Sequence, residues 1–524
     1  MNKLLKSSFI FSFFTFISRV FGLVREVVFA LVFGASGQMD AFIVAFKIPN
    51  FFRRLFAEGA FNQAFVPILA EYSEKDNNHK SLRSFIAAVT GLLGVACLVV
   101  VIAGMFGSHS FVHVFAPGFS KDDKQLSLAS NLLTITFPYL GFITLTALSS
   151  SILNIHGKFG LPAFTPVLLN IVLIGFSFFV SPYLSNPIMA LSYGVLLAGL
   201  VQFLFLLPAL YKVGCLVMPN LNWRHHGARR VFRNIIPACF GASVTQISLL
   251  MDTIFASFLV SGSISWLYYS NRLMQFPLGV FGVALSTVIL PTLSKQYVLG
   301  NKIGFRHSFN WGCQWVFVIA IPCSVGLFML AKPLIITLFY RGAFTINDAY
   351  NASYSLMAFS LGLLFFMMSK VLVSVYYSQK NIKFPVICAL VAVMINIVLN
   401  LIWINYFAHV GIALASSCAA FVDVGLLWYG LVRQGLIGHY FSWYWVKFIF
   451  KIIVGSAAMG YVLWLFSPNF GSWLEMGWLK RPMTLFGLIC IGSGVYVVVL
   501  GALGFDWARG LTTDDEPDDM VEGE

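Results

Sequence analysis

Apolar positions in this chain gather into long unbroken runs instead of alternating with polar ones. Windows near 8–33, 40–70, 86–107, 128–153, 163–181, 188–210, 234–260, 266–293, 310–330, 350–377, 384–404, 411–432, 447–466 and 483–504 are each about twenty residues or longer. That is the length at which a helix rising 1.5 Å per residue crosses a hydrocarbon layer of roughly 30 Å. Lipid leaves no water to satisfy the backbone, so each run is expected to be a helix. The pattern predicts an all-α polytopic membrane protein with about fourteen transmembrane helices.

An even number of spans puts both termini on one side, and lysine and arginine then decide which. With the termini cytoplasmic, Lys75, Lys80, Arg83, Arg224, Arg229, Arg230, Lys302 and Lys380 fall in cytoplasmic segments. Only Lys121, Lys124, Lys332, Arg341, Lys480 and Arg481 fall outside. The expected location is therefore the bacterial inner (cytoplasmic) membrane, multi-pass, with both termini cytoplasmic.

Composition agrees. Of 524 residues, 59% are hydrophobic and 10% charged, and mean hydropathy is +0.85; a soluble domain carries roughly 25% charged residues. The net charge of +13 follows from topology, so no nucleic-acid partner is expected. The eight cysteines stand singly, and the histidines form no ligand spacing, so neither metal nor cofactor is expected. Lys3 and Lys6 precede an apolar stretch, but Arg19, Arg25 and Glu26 interrupt it, which argues against a cleaved signal peptide. Residues 507–524 read as an acidic cytoplasmic tail, with seven carboxylates from Asp514 onward.

The chain also repeats itself. SILNIHGKFGLP at 151–162 matches SVYYSQKNIKFP at 374–385, and LLNIVLIG at 168–175 matches MINIVLNL at 394–401. AFVPILAEY around Pro67 matches VILPTLSKQY around Pro291. The offset covers six spans, an even number, so the halves share orientation. This predicts two parallel six-helix lobes, 1–225 and 226–440, with two additional spans in 441–506; parallel repeats suit a transporter that rocks two lobes about a midplane site.

Within this apolar background some spans carry charge. The first holds Ser18, Arg19, Arg25 and Glu26; the second holds Asp40, Lys47, Asn50, Arg53, Arg54 and Glu58; the eighth holds Arg272. A charge at the bilayer centre costs about 2.5–3.5 kcal/mol on insertion scales, so these side chains should face a cavity or one another. Asp40, Lys47 and Arg54 are seven apart, as are Arg19 and Glu26, and so lie on common faces. Bases outnumber acids in these spans, and arginine's planar fork suits bidentate binding of phosphate oxygens. An anionic guest would balance the surplus. Simple pairing within the bundle, Arg19 with Glu26 and Lys47 or Arg54 with Asp40 or Glu58, is the competing account. Asp252, Asp423 and Lys370, in spans of the second half, are candidates for ion coupling or for pairing.

At these residues the chain resembles the MurJ (MviN) family of lipid II flippases, within the multidrug, oligosaccharidyl-lipid and polysaccharide exporter superfamily. The resemblance rests on SRVFGLVRE at 18–26, DAFIVAFKIPNFFRRLFAEGAFNQAFVPILAEY at 40–72, APGF at 116–119, ITFPY at 135–139, QISLLMDTIFASFL at 246–259 and SGSISWLYYSNRLMQFPLGVFGVALSTVILP at 261–291. It implies a two-lobed transporter carrying lipid II, an undecaprenyl-diphosphate-linked muropeptide, from the cytoplasmic to the periplasmic leaflet by alternating access. It also implies that spans thirteen and fourteen border a groove for the polyprenyl tail. The family's cavity arginines match Arg19, Arg25, Arg53 and Arg272. Ser18, Asp40, Lys47, Arg54, Glu58 and Ser265 fall on polar positions of the same motifs. Asn271 departs from members that carry an acid before the arginine.

Other readings remain open: an exporter of another diphosphate-linked lipid oligosaccharide, or a membrane enzyme acting on polyprenyl phosphates. Enzymatic chemistry would want clustered carboxylates or a nucleophile with its base, and Asp122 and Asp123 form a loop pair without nearby histidines. The expectation is a transporter, not an enzyme, that is monomeric, sits among membrane lipids and associates with the cell-wall synthesis machinery. Export of an anion is favoured by an inside-negative potential by about 2.3 kcal/mol per charge per 100 mV.

Overall fold

The computed structural model describes residues 2–54, 61–75, 80–436 and 443–505, so Glu58 and the acidic tail lie outside the described residues. Every regular element among those residues is helical. By its internal contacts the chain divides into two units, Met1–Ser265 with Arg341–Thr345, and Trp266–Tyr340 with Ile346–Glu524.

The first unit contains α1 (Asn2–Phe33), α2 (Gly37–Phe52), α3 (Phe61–Lys75), α4 (Lys80–Phe106), α5 (Ser108–Phe115), α6 (Asp123–Thr136), α7 (Tyr139–Ile155), α8 (Gly160–Gly175), α9 (Met189–Lys212) and α10 (His226–Ala256). α11 (Ser263–Pro277) starts at its edge and runs into the second unit. There follow α12 (Val283–Val298), α13 (Lys302–Met329), α14 (Ala331–Phe339), α15 (Ile346–Ser378), α16 (Lys383–Arg433), α17 (Trp443–Phe466), α18 (Phe470–Glu475) and α19 (Lys480–Ala502).

Ten helical stretches are long and apolar enough to cross a membrane, by length and composition. One of them, α16, covers two of the expected windows: it is continuous but kinked at Ala408, whose φ of 48° and ψ of −128° are not helical. The windows not among the ten fall on α1, on α2 with α3, and on α10; α2 has 16 residues and α3 has 15, each short of a full crossing by itself.

Helices in lipid gain nothing from hiding apolar surface from one another, so close backbone approach and hydrogen bonds hold them together. In the first unit, glycines make such approaches. A Cβ on Gly118 would lie 2.0 Å from Ser257 O, one on Gly34 2.4 Å from Ala343 O, and one on Gly342 2.2 Å from Leu31 O. Hydrogen bonds accompany them, Gly118 N–H to Ser257 Oγ at 3.0 Å and Ala343 N–H to Leu31 O at 2.9 Å. At the other end of this unit, Phe65, Phe85 and Tyr72 stack in a row against α10, and His225 caps that helix by accepting the Ala228 N–H at its Nδ1. Burial, and then the neighbouring His226, push the His225 imidazole below its ordinary range.

The two matched turns share a backbone geometry, one that also ends α9, α12 and α19. After α7, Gly157 (φ 73°) donates to Asn154 O at 3.0 Å and Lys158 to Leu153 O at 2.9 Å. After α15, Lys380 (φ 60°) donates to Tyr377 O at 3.0 Å and Asn381 to Tyr376 O at 3.0 Å. Each helix thus ends in the same left-handed Schellman geometry, on a glycine in one case and on a lysine in the other.

Candidate functional site

The charges of α1 are held against α8. Arg25 is buried, and its Nη1 donates to Asn170 Oδ1 at 3.0 Å, while its Nη2 forms an ion pair with Glu26. The guanidinium also lies over the Phe29 ring, 5.5 Å from its centroid. Asn170 then donates through Nδ2 to the carbonyl of Ser18 at 3.2 Å, so one amide bridges both ends of the α1 polar stretch. Arg19 is half-buried and meets no hydrogen-bond or ion-pair partner among the described residues.

Glu26 therefore takes Arg25, not the Arg19 that shares its face. Residues seven apart on a helix are two turns, roughly 10.5 Å, apart along the axis. That is too far for an ion pair, whereas neighbouring long side chains can bend toward each other.

The α2 stripe reaches toward the end of α10 and the start of α11. Asp40 is buried at 2% exposure, and its carboxylate accepts the Gly262 N–H at 2.6 Å, the Ser265 N–H at 2.8 Å and the Ser265 hydroxyl at 2.6 Å. A carboxylate here satisfies orphan N–H groups and favours the positive end of the α11 dipole. Lys47, two turns on, donates to Thr253 Oγ1 at 2.8 Å. Asp40 and Lys47 thus share a face, as their spacing predicts, and each is bonded to α10 or the α11 start. Further along, Arg53 Nε donates to Asn50 Oδ1 at 3.0 Å, and Asn50 Nδ2 to Phe46 O at 2.8 Å. Arg53 is half-buried and Arg54 exposed.

In the second unit, the Arg272 guanidinium lies over the Tyr268 ring, 5.0 Å from its centroid, one turn earlier on α11. Its Nη2 also donates to the Tyr268 hydroxyl at 3.4 Å. Asn271, the residue before Arg272, accepts from Gln275 on its own helix.

Sequence reasoning missed Asn170, Thr253, Gly262 and Tyr268. Asn170 carried a signal: it is the one strongly polar side chain in LLNIVLIG, a segment noticed only for its repetition. Thr253 and Gly262 had none, because a hydroxyl and a backbone N–H become partners only once the chain has folded.

The sequence profile described as lipid II flippase MurJ matches residues 29–481. A probable lipid II flippase MurJ of Vibrio cholerae serotype O1 is 47% identical over 511 residues, covering 96% of this chain and 97% of that one. Its counterpart in Haemophilus influenzae is 44% identical, covering 94% and 98%. Among solved structures, a lipid II flippase MurJ in an inward closed conformation superposes with a TM-score of 0.79 at 31% identity, over 94% of this chain and 98% of that one. An inward-facing multidrug transporter of the MATE family shares the fold at a TM-score of 0.66 and 12% identity, over 80% and 95%. Similarity that runs nearly end to end at such identity is descent from a common ancestor, and the chain belongs to the lipid II flippase MurJ family.

Proposed function

We propose that this chain carries lipid II from the cytoplasmic to the periplasmic leaflet of the inner membrane by alternating access, as a transporter and not an enzyme. The observation that carries this reading is the near-full-length similarity to proteins named as lipid II flippases. The chemistry of the charged spans supports it. Arg19, Arg25, Arg53 and Arg272 are the proposed diphosphate ligands, and Ser18, Glu26, Asp40, Lys47, Asn50, Arg54, Glu58 and Ser265 position them. Fourteen spans with both termini cytoplasmic, in parallel lobes of 1–225 and 226–440 followed by two further spans, complete the proposed architecture. The transporter acts as a monomer alongside the wall-synthesis machinery.

The test is leaflet-resolved detection of lipid II in cells depleted of the native chain and supplied with single alanine variants at the four arginines. Each change removes charge-assisted hydrogen bonds of about 1.5–3 kcal/mol. Lipid II should then accumulate in the cytoplasmic leaflet, and lysine should rescue poorly because it lacks the fork. Expression and thermal stability are measured beside transport, to separate lost binding from lost folding. Well-folded alanine variants that all transport at the native rate would remove the site assignment.

A further inference from the structure

In the second unit, α15 and the second arm of α16 are joined by a polar seam through their apolar lengths. His409 Nδ1 meets Ser355 Oγ at 2.8 Å, Ser417 Oγ donates to Ala358 O at 2.9 Å, and Ser369 Oγ donates to Asp423 Oδ2 at 2.7 Å. At the middle rung a Cβ on Gly362 would lie 2.6 Å from Ser417 Oγ, so the helices touch there. The outer rungs pair Ser355 with His409 and, 14 residues further along both helices, Ser369 with Asp423. Equal spacing in the same sense means two parallel helices in constant register.

Asp423 ends the seam about ten residues, roughly 15 Å, before the end of its helix, well inside the membrane span. Of its two oxygens, Oδ2 holds the Ser369 hydroxyl, while Oδ1 is buried and meets no donor among the described residues. An ionised carboxylate with one bare oxygen in lipid is costly. A proton on Oδ1 removes the charge and leaves the Ser369 bond in place. The groups that face this carboxyl are few. On α15 they are Ser369, the exposed Lys370, and Tyr376, whose hydroxyl is committed to Leu427 O at 2.7 Å. On the first arm of α16 there is the buried Cys388 thiol. From α13, the Phe309 ring packs on Trp428 of the same arm. No ion pair joins Asp423 to Lys370 among the described residues. A lone carboxyl and a hydroxyl are also too few oxygens for a metal cation, which takes six or more.

We propose that Asp423 is a proton-binding site through which this unit couples lipid export to proton entry. Oδ1 gains a proton from a hydronium ion arriving from outside and later releases it to water inside, so that one proton enters per cycle. This rests on the reading of the chain as a lipid II transporter.

The experiment uses the full chain in proteoliposomes of phosphatidylethanolamine and phosphatidylglycerol, with lipid II as cargo and an imposed pH difference. For one coupled proton, each pH unit of acid on the periplasmic side should shift the steady-state leaflet ratio of lipid II by up to about tenfold. Asp423→Asn should abolish that shift, and Asp423→Glu, which still titrates, should retain it. In parallel, the infrared difference between the native chain and Asp423→Asn should contain a protonated-carboxyl carbonyl stretch that titrates, a readout that needs no transport. A native chain whose leaflet ratio ignores the pH difference, an Asp423→Asn chain that keeps the shift, or a difference spectrum without that band overturns the proposal. A native chain that moves no lipid II under any gradient, but shows the band, defeats the functional reading and leaves the proton site standing.

Discussion

Asp40 caps a helix that begins far away in sequence: its Oδ1 accepts both the N–H and the hydroxyl of Ser265, 225 residues on, at 2.8 and 2.6 Å. Asp40→Ala leaves these donors and the Gly262 N–H without an acceptor. The expected cost is about 1–3 kcal/mol per buried orphan group, read as a lower thermal midpoint in detergent. Asp40→Asn keeps one acceptor oxygen and should fall between Ala and the native chain. An alanine variant as stable as the native protein would mean that the cap contributes nothing.

Asn170 is expected to matter through Arg25. Removing its acceptor with Asn170→Ala should reduce lipid II transport by roughly tenfold, the equivalent of one hydrogen bond to a charged group. A double-mutant cycle with Arg25→Ala should show strong non-additivity, since either change breaks the same contact. Additive losses would show that the two residues act separately.

The two Schellman turns predict changes of opposite sign. At Lys380, φ is 60°, a region that costs an L-residue about 1–2 kcal/mol. Lys380→Gly should therefore stabilise the protein by about 1 kcal/mol. Gly157→Ala, at φ 73° with nothing within 4 Å to obstruct the added methyl, should destabilise it by a similar amount through backbone strain alone. Denaturant titration in mild detergent checks both, and a shared sign would contradict the argument.

His225 gives one end of the first unit a pH dependence. Its imidazole titrates below the unfolded value, with burial as the leading cause. Above the unfolded pKa of about 6.5 both states are neutral and the cap is intact. As the pH falls below that value the unfolded state takes up the proton first, so stability declines until the folded pKa is reached. Hydrogen exchange at residues 226–231, compared at pH 7.5 and 5.5 after correction for intrinsic rates, should report faster opening of the first turn of α10 in acid. His225→Ser, a cap that does not titrate, should remove the difference.

Hydropathy made the helical class legible at once, because lipid permits little else. It also located the break between the two arms of α16, where the chain turns on the single non-helical residue Ala408. The charged stripes of α1 and α2 were legible as faces but not as bonds. Periodicity says which side a residue occupies, while an ion pair needs a few ångströms of reach. So the pairing of Arg25 with Glu26, and of Asp40 with Gly262 and Ser265, is visible only in the fold. Asn170 lay in plain view in an apolar run, yet its partner Arg25 is 145 residues away. Nothing local to either residue encodes that distance.

The three hydrogen-bonded rungs between α15 and α16 also act as a spline. Sliding one helix along the other by a single turn, about 5.4 Å, would set Ser417 and Asp423 against hydrocarbon and bring side chains onto the bare backbone at Gly362. Rotation about either axis breaks the same bonds. The two helices are therefore keyed into one strut, and bending falls to the ends of the keyed stretch, at Ala408 and beyond Arg433, where Gly435 already adopts a positive φ.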